Sequence, residues 1–394
     1  MLTSQTDAHI SAVPKVTGPM KLHVVGLAHT ETTREYDWCA FTAKVRKFST
    51  MMTAIGYDVR LYAGEQNEAN CTEYIPIISR AEQKEWFAGF DRSRDLINNY
   101  DSSTPPWMTM NARAAEEIRK RVAPGDVLSM AVGLTQKPIA DALAGTGILP
   151  VETGIGYHGV WAPYRIFESH ANQHFLAARE PSDNVRFFDQ VIPNYFEVDE
   201  FPPGKGDGGY FLYFGRVVNR KGPHIAAEVC KRLGAKLIVA GQGIQAPPGT
   251  NTSTGPLRST DGTILDGDVE YVGPAGPALR AKLLGGARAV FVPSIYLEPF
   301  GGIAVESMLC GTPAIAMDWG AFTETVVHGV TGFRCLTLAE FVDAARRAGD
   351  LDRNAIRQYA IQNYSTEVVG QRYDQYFKKL TSLSRKGWYE VPGE

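Results

Sequence analysis

The chain has no excess of either charge: 40 Lys and Arg stand against 43 Asp and Glu, a formal net charge of -3 at pH 7. A nucleic-acid or anionic-membrane partner would therefore need a local basic patch. Cysteine is scarce. Cys39, Cys71, Cys230, Cys310 and Cys335 are scattered, odd in number and without metal-type spacing, which argues against a disulfide scaffold and for a reducing, cytoplasmic setting. No apolar run approaches the ~18 to 20 residues of a membrane span. Residues 1 to 19 include Asp7, His9 and Pro14 in place of the apolar core of a signal peptide.

What is present is regular alternation. At 394 residues two domains are expected. After a loose extension over 1–19, "KLHVVGL" reads as a strand, and Phe41, Val45, Phe48, Met52 and Ile55 recur at helical spacing. "YDVRLYAG", "EYIPIIS", "DVLSMAVG", "GILPVET" and "RFFDQVIPN" continue as strands, separated by helical stretches such as "MNARAAEEIRKRV" and "RIFESHANQHFLAAR". "PPGKGDGG" at 202–209 reads as a hinge. Alternation then restarts with "YFLYFGRVV", "AKLIVAGQG", "VEYVGP", "RAVFVPS" and "PAIAMD", and residues 242–268 form a polar loop. The expected organisation is an α/β protein of two doubly wound domains, 20–201 and 210–365, facing a cleft. Residues 366–394 then form a terminal helix that returns to the first domain.

Two stretches carry chemistry. In "YFGRVVNRKG" a strand runs into Gly215, with Arg216 next and Lys221 five residues later. A guanidinium and an ammonium at the mouth of a cleft suit a diphosphate whose bond is breaking. In "SIYLEPFGGIAVESMLCGTPAI", Gly301 and Gly302 open a helix whose free N–H groups favour an anion, between Glu298 and Glu306. Taken singly, each glutamate also reads as a helix cap or a solvated side chain.

In this order, "GRVVNRKG", "LIVAGQG", "VEYVGP", "VFVPSIYLEPFGGIAVESMLCGTPAIAM" and "TETVVHGVTGF" resemble the retaining GT-B glycosyltransferases of the group that holds glycogen synthase-like and sucrose synthase-like enzymes. The resemblance covers residues 187–378 and extends to "VIPNYFEVDEF". It implies a GT-B fold, a nucleotide-diphosphate sugar (UDP or GDP) as donor substrate, and neither a cofactor nor a catalytic metal. Arg216 and Lys221 match the pair that holds the diphosphate. Glu298 matches the residue on the donor sugar, Phe300, Gly301 and Gly302 its backbone cradle, and Glu306 the ribose ligand; Gly215 and Ser294 flank the same pocket. Retention by front-face attack would let the leaving phosphate deprotonate the acceptor, so no protein nucleophile is expected. The chain departs from many relatives in two places: "GLAHTETTREYDW" replaces a Gly-Gly loop, and Trp319-Gly320-Ala321 replaces a glycine pair.

The first domain is read as the acceptor side, with Glu152, Tyr157, His158 and Arg165 facing donor sugar or acceptor. His158 is assigned to the first-domain histidine that relatives place near the sugar, and His29 is the alternative. The acceptor stays open among glycan, small molecule, lipid and modified DNA. The last is there because "ETGIGYHGVWAPYRIFES" resembles glycosyltransferases of bacteriophage genomes, some of which act on hydroxymethylated bases. "GIGYHG", residues 154 to 159, also matches the dinucleotide fingerprint and would point to an NAD-dependent oxidoreductase. His170 and His174 are four apart and Asp266-Gly267-Asp268 forms a D-x-D, both read as structural. Lys44, Arg46 and Lys47 are read as a solvated helix face, with membrane docking or, together with "RKR" at 119–121, a polyanion as the other uses.

Overall fold

The computed structural model describes residues 20–90, 100–180, 186, 188–251 and 256–383. The first domain holds seven strands: β1 (Lys21–Val25), β2 (Asp58–Ala63), β3 (Glu73–Pro76), β4 (Val127–Met130), β5 (Leu149–Ile155), β6 (Tyr164–Phe167) and β7 (Gln190–Val191). They pair in parallel in the order β3-β2-β1-β4-β5-β6-β7. Its helices are α1 (Ala40–Ile55), α2 (Arg80–Trp86), α3 (Pro105–Arg119), α4 (Lys137–Ala142) and α5 (His170–Ala177). Leu22, His23, Val24 and Val25 of β1 are all buried, as a central strand covered by helices on both faces requires. His23 is satisfied inside the core by Tyr62 at 2.9 Å and Asp126 at 3.2 Å.

The second domain repeats the plan. β8 (Tyr210–Phe214), β9 (Lys236–Ala240), β10 (Thr250–Asn251), β13 (Val269–Gly273), β14 (Val290–Val292), β15 (Ala314–Met317) and β16 (Gly332–Cys335) order as β10-β13-β9-β8-β14-β15-β16. Within this sheet, among the described residues, the β10–β13 pair is antiparallel and the other pairs are parallel, while β11 (Leu257–Arg258) and β12 (Ile264–Leu265) form a separate small antiparallel hairpin. The helices are α6 (Pro223–Leu233), α7 (Pro277–Gly286), α8 (Gly302–Leu309), α9 (Phe322–Thr325), α10 (Leu338–Arg347), α11 (Arg353–Tyr364) and α12 (Thr366–Leu383). In each sheet the chain order reverses beside the first strand, β1 or β8, and crevices for ligands open at such switch points.

The two domains meet where Phe196 N–H donates to the Tyr364 carbonyl at 2.9 Å and Thr366 N–H to the Phe196 carbonyl at 3.1 Å. The Pro/Gly-rich segment 202–209, read as the hinge, is hydrogen-bonded to the second domain. Gly204, Gly206 and Gly208 donate to the carbonyls of Cys310, Gly285 and Gly286. A side chain at Gly204 would lie 2.1 Å from Gly285, so glycine serves close packing there. α12 lies on the first domain: Val369, Tyr373, Tyr376, Phe377 and Leu380 join its core, and Tyr57 donates to Asp374 at 2.9 Å. "RIFESHANQHFLAAR" is not one helix. Tyr164–Phe167 forms β6, and the helix begins only after Ser169, whose Oγ accepts the Asn172 N–H.

A second set of contacts crosses the cleft. Ser169 Oγ donates to the Pro299 carbonyl at 2.6 Å, and the Glu324 carboxylate accepts the N–H groups of His170 and Ala171 at 2.9 and 2.8 Å. No helix among the described residues is long and apolar enough to cross a membrane. Phe377 is fully buried between α1 and α12, so Phe377→Ala should cost about 3 to 5 kcal/mol. Urea unfolding should show the transition that carries the first-domain aromatic signal moving to lower denaturant.

Candidate active site

A cavity of about 440 Å³ lies between the domains, bordered by Phe41, Lys44 and Glu168 on one side and by Arg216, Lys221, Glu298, Gly301, Gly302 and Glu306 on the other. A smaller space of about 250 Å³ extends from it into the second domain beside Gly215 and Ser294. Every donor-side residue read from the sequence is therefore brought to one place.

The geometry follows from the strand ends. β8 stops at Phe214, and Gly215, at φ 155°, turns the chain across the tip of β9. There Gly241 has to be glycine, since a Cβ would lie 1.9 Å from the Gly215 carbonyl oxygen. Lys221 ends the short turn that follows and donates to both oxygens of Glu298, at 2.7 and 2.8 Å. Tyr296 lies beneath this cation, its ring centroid 5.1 Å from Lys221 Nζ and 4.7 Å from the Arg220 guanidinium.

Beyond β14, Gly301 adopts φ 76° as the N-cap of α8, and a Cβ there would meet Phe322 at 2.2 Å. No side chain caps this helix end, so its backbone N–H groups face the cavity as donors for an anion. Glu306, one turn along α8, accepts from Arg280 of α7 at 3.3 Å. Phe300 contributes through its backbone only. Its ring is buried, stacked on Phe196 at 6.2 Å and edge-on to Tyr364 at 5.9 Å, so the cradle is built on the domain crossing. At Trp319-Gly320-Ala321 the Ala321 N–H donates to the Glu298 carbonyl at 3.2 Å and fixes that loop, a backbone bond that does not depend on which side chain stands there.

The first-domain assignments divide. Glu152 is buried and accepts the N–H groups of Trp161 and Ala162 at 2.9 and 2.8 Å and the Tyr157 hydroxyl at 3.3 Å. Burial pushes its carboxyl above the ordinary range, and its oxygens are spent on anchoring the 157–162 loop. Arg165 is paired with Asp189 and Glu180, so it faces an ion network instead of a ligand. His158 is exposed and packs against Phe175 at 5.8 Å, outside the cavity wall. Tyr157 lies against Phe41 and is committed to Glu152. His29 is buried in a separate aromatic enclosure of the first domain.

The basic face of α1 is not solvated. Arg46 pairs with Asp37 at 2.8 Å, Glu200 at 3.2 Å and Glu197 at 3.3 Å; Lys47 pairs with Glu200 at 2.7 Å, and Lys44 with Glu168. These pairs hold the chain just past the domain crossing and take the cations away from any membrane or polyanion. Arg119 donates to the Ala142 carbonyl, while Lys120 and Arg121 pair with Glu117. The loop 154–159 leads from β5 into β6 and not into a helix. It therefore lacks the helix N-terminus that a dinucleotide pyrophosphate needs, and the nicotinamide reading fails on topology. Asp266 pairs with Lys231 in a turn at Gly267. The His170 and His174 rings are 6.0 Å apart, and no group of three metal-type side chains forms among the described residues. Sequence reasoning missed Arg280, Tyr296 and the Lys44–Glu168 pair. Tyr296 lay inside the informative stretch, whereas Arg280 sits in an ordinary helical pattern.

Two parallel sheets with switch points facing one cleft define the GT-B fold. Residues 196–363 match the family described as Glycosyl transferases group 1. The D-inositol 3-phosphate glycosyltransferases of Mycobacterium tuberculosis and Mycobacterium bovis are each 34% identical to this chain over 156 residues, 36% of this chain. The aligned stretch spans about a third, 32%, of those relatives' own length. Among solved structures, a sucrose-phosphate synthase from Thermosynechococcus elongatus superposes with a TM-score of 0.63 at 16% identity, covering 92% of this chain and 99% of that one. AviGT4, a glycosyltransferase involved in avilamycin A biosynthesis, gives 0.60 at 18%, covering 92% and 98%. Anabaena HepE in complex with UDP-glucose gives 0.60 at 14%, covering 92% and 100%. At these identities the structures establish the fold.

Burial lowers the His29 pKa to about 4. As the pH falls, the unfolded chain, with a histidine near 6.5, takes up its proton first. The stability from a neutral His29 is thus complete above about pH 6.5 and is lost as the pH drops toward 4, by up to about 3 kcal/mol. The urea midpoint should fall between pH 6.5 and 4.5, and by less in His29→Phe.

Proposed function

We propose that the chain is a glycosyltransferase that moves a sugar from a nucleotide-diphosphate donor, UDP- or GDP-linked, to an acceptor hydroxyl with retention of configuration. The observation that carries this reading is the Lys221–Glu298 pair set beside Arg216 at the uncapped N-terminus of α8. The family match over 196–363 and the UDP-glucose complex of a fold neighbour support it.

In this reading the diphosphate lies over the N–H groups at Gly301 and Gly302, with Arg216 and Lys221 against its oxygens. The sugar reaches toward Glu298, and the ribose diol binds Glu306. The bond from the anomeric carbon to the diphosphate oxygen breaks, and the diphosphate leaves with the electron pair. The acceptor oxygen bonds to the same face of that carbon and passes its proton to a leaving-group phosphate oxygen. Charge developing on the diphosphate is met by fixed cations and helix N–H groups, which need no rearrangement during the reaction. No side-chain nucleophile and no metal ion enters the scheme.

Lys221→Ala should reduce the transfer or donor-hydrolysis rate by about 10² to 10³ in a protein that stays folded by circular dichroism, with a lowered melting temperature because buried Glu298 loses its partner. Gly301→Ala should weaken UDP binding at least tenfold, because its Cβ collides with Phe322 and displaces the cradle. Thermal shift should rise with UDP or GDP and stay flat with NAD. Near-parental rates in both Lys221→Ala and Glu298→Gln would contradict the assignment.

A further inference from the structure

The first-domain wall of the interdomain cavity carries an ion pair that the donor cradle does not use. Lys44 of α1 donates to Glu168 Oε1 and, at 3.1 Å, to the Gly154 carbonyl. Both side chains border the cavity, yet only 16% of the Lys44 side chain and 5% of the Glu168 side chain are exposed. Such a pair is a poor source of stability, because taking two charges out of water offsets much of their attraction. A ligand that needs both charges gives a better reason for it.

The backbone carries this pair to the donor side. Glu168 follows β6, and its N–H donates to the Ile155 carbonyl at 3.2 Å. The next residue, Ser169, donates from Oγ to the Pro299 carbonyl at 2.6 Å, so the Glu168 carboxylate lies beside the loop that holds Glu298. Lys44 occupies Oε1, whereas Oε2 accepts no hydrogen bond among the described residues and is open to the cavity. Gly156 stands next to it on the same wall, where a Cβ would lie 2.6 Å from Oε2. Its φ is not positive, so space beside the carboxylate, and not backbone conformation, calls for glycine. An ammonium has three protons to donate, and two of those on Lys44 are taken by Gly154 and Glu168.

We propose that Glu168 and Lys44 set the specificity for the transferred sugar, with Glu168 Oε2 accepting one of its hydroxyls and Lys44 Nζ donating to the hydroxyl next to it. The inference rests on the glycosyl-transfer reading. An ionised carboxylate only accepts and an ammonium only donates. Set side by side they fit a vicinal diol, whose hydroxyls do both. The donor class is therefore a sugar with two free adjacent hydroxyls on the side turned to the first domain. A deoxy sugar at either position would leave a buried charge short of a partner, which is how a polar site rejects a close analogue. The pair takes the part expected of His158, from a different element and with a different chemistry.

Donor turnover by the full chain separates recognition from support of the fold. The probes are UDP- and GDP-linked hexoses, and the one hydrolysed fastest is then compared with its monodeoxy analogues. In the parent, removing a hydroxyl that meets the pair should cut kcat/KM by about 20-fold or more. In Glu168→Gln the full donor should itself lose about tenfold. The same analogue should then lose no more than about threefold further, because the interaction is already gone. Affinity for UDP or GDP alone should stay within about twofold. Gly156→Ala keeps both charges but displaces Oε2, and it should reproduce this pattern. Analogues that lose equally in parent and variants, or a nucleotide affinity that falls together with turnover, overturn the inference. A parent indifferent to every deoxy analogue also overturns it. A parent that binds UDP or GDP but turns over no nucleotide sugar overturns the transfer reading instead.

Discussion

Lys221 donates to both carboxylate oxygens of Glu298, and through this contact the loop after β8 is tied to the loop after β14. These strands are neighbours in the sheet although 75 or more residues lie between them in the chain, so the pair closes the switch point of the second domain. It gathers a cation, a carboxylate and the N-terminus of α8 around one space. The loops could not hold the cradle geometry by backbone alone. Gly215, Gly241 and Gly301 give the approach distances, while the ion pair and the Ala321–Glu298 hydrogen bond fix the register.

The same constraint reaches the first domain through Phe300. Its ring is stacked on Phe196 at the point where the chain crosses between domains, so the glycine turn that opens α8 and the crossing share one hydrophobic cluster. Ser169 and the N-terminus of α5 grip Pro299 and Glu324 from the other side. The buried cations of α1 lock Glu197 and Glu200 just beyond the crossing. The cleft width is thereby set by contacts that begin within a few residues of the site itself, which is how two domains can place groups on opposite sides of one small ligand.

Much of the second domain was legible in the sequence because its chemistry sits on consecutive residues. Strand, glycine, cation and helix start follow one another along the chain, so a linear pattern reports a local geometry. In the first domain the informative contacts are between residues distant in sequence. Arg46 meets Glu197 across 151 positions and Arg165 meets Asp189 across 24, and spacing says nothing about such partners. Thus a row of lysine and arginine on α1 looked solvated and proved to be paired. Glu152 and Arg165, which looked like site residues, are consumed by a loop anchor and an ion network. His158 was assigned by likeness to a histidine of relatives, and it is exposed and outside the cavity lining. The Pro/Gly-rich segment 202–209 packs against the second domain through its glycines, which serve close approach as well as flexibility.

The central claim is that a nucleotide diphosphate is held between the uncapped α8 N-terminus and the Arg216–Lys221 pair. A crystal structure of the chain with UDP or GDP bound tests it most directly. The account predicts the terminal phosphate within hydrogen-bond distance of the backbone N–H groups at Gly301 and Gly302 and of Lys221 Nζ, with the ribose diol on Glu306. A nucleotide bound at the 154–159 loop, or one whose phosphates point away from α8, would contradict it.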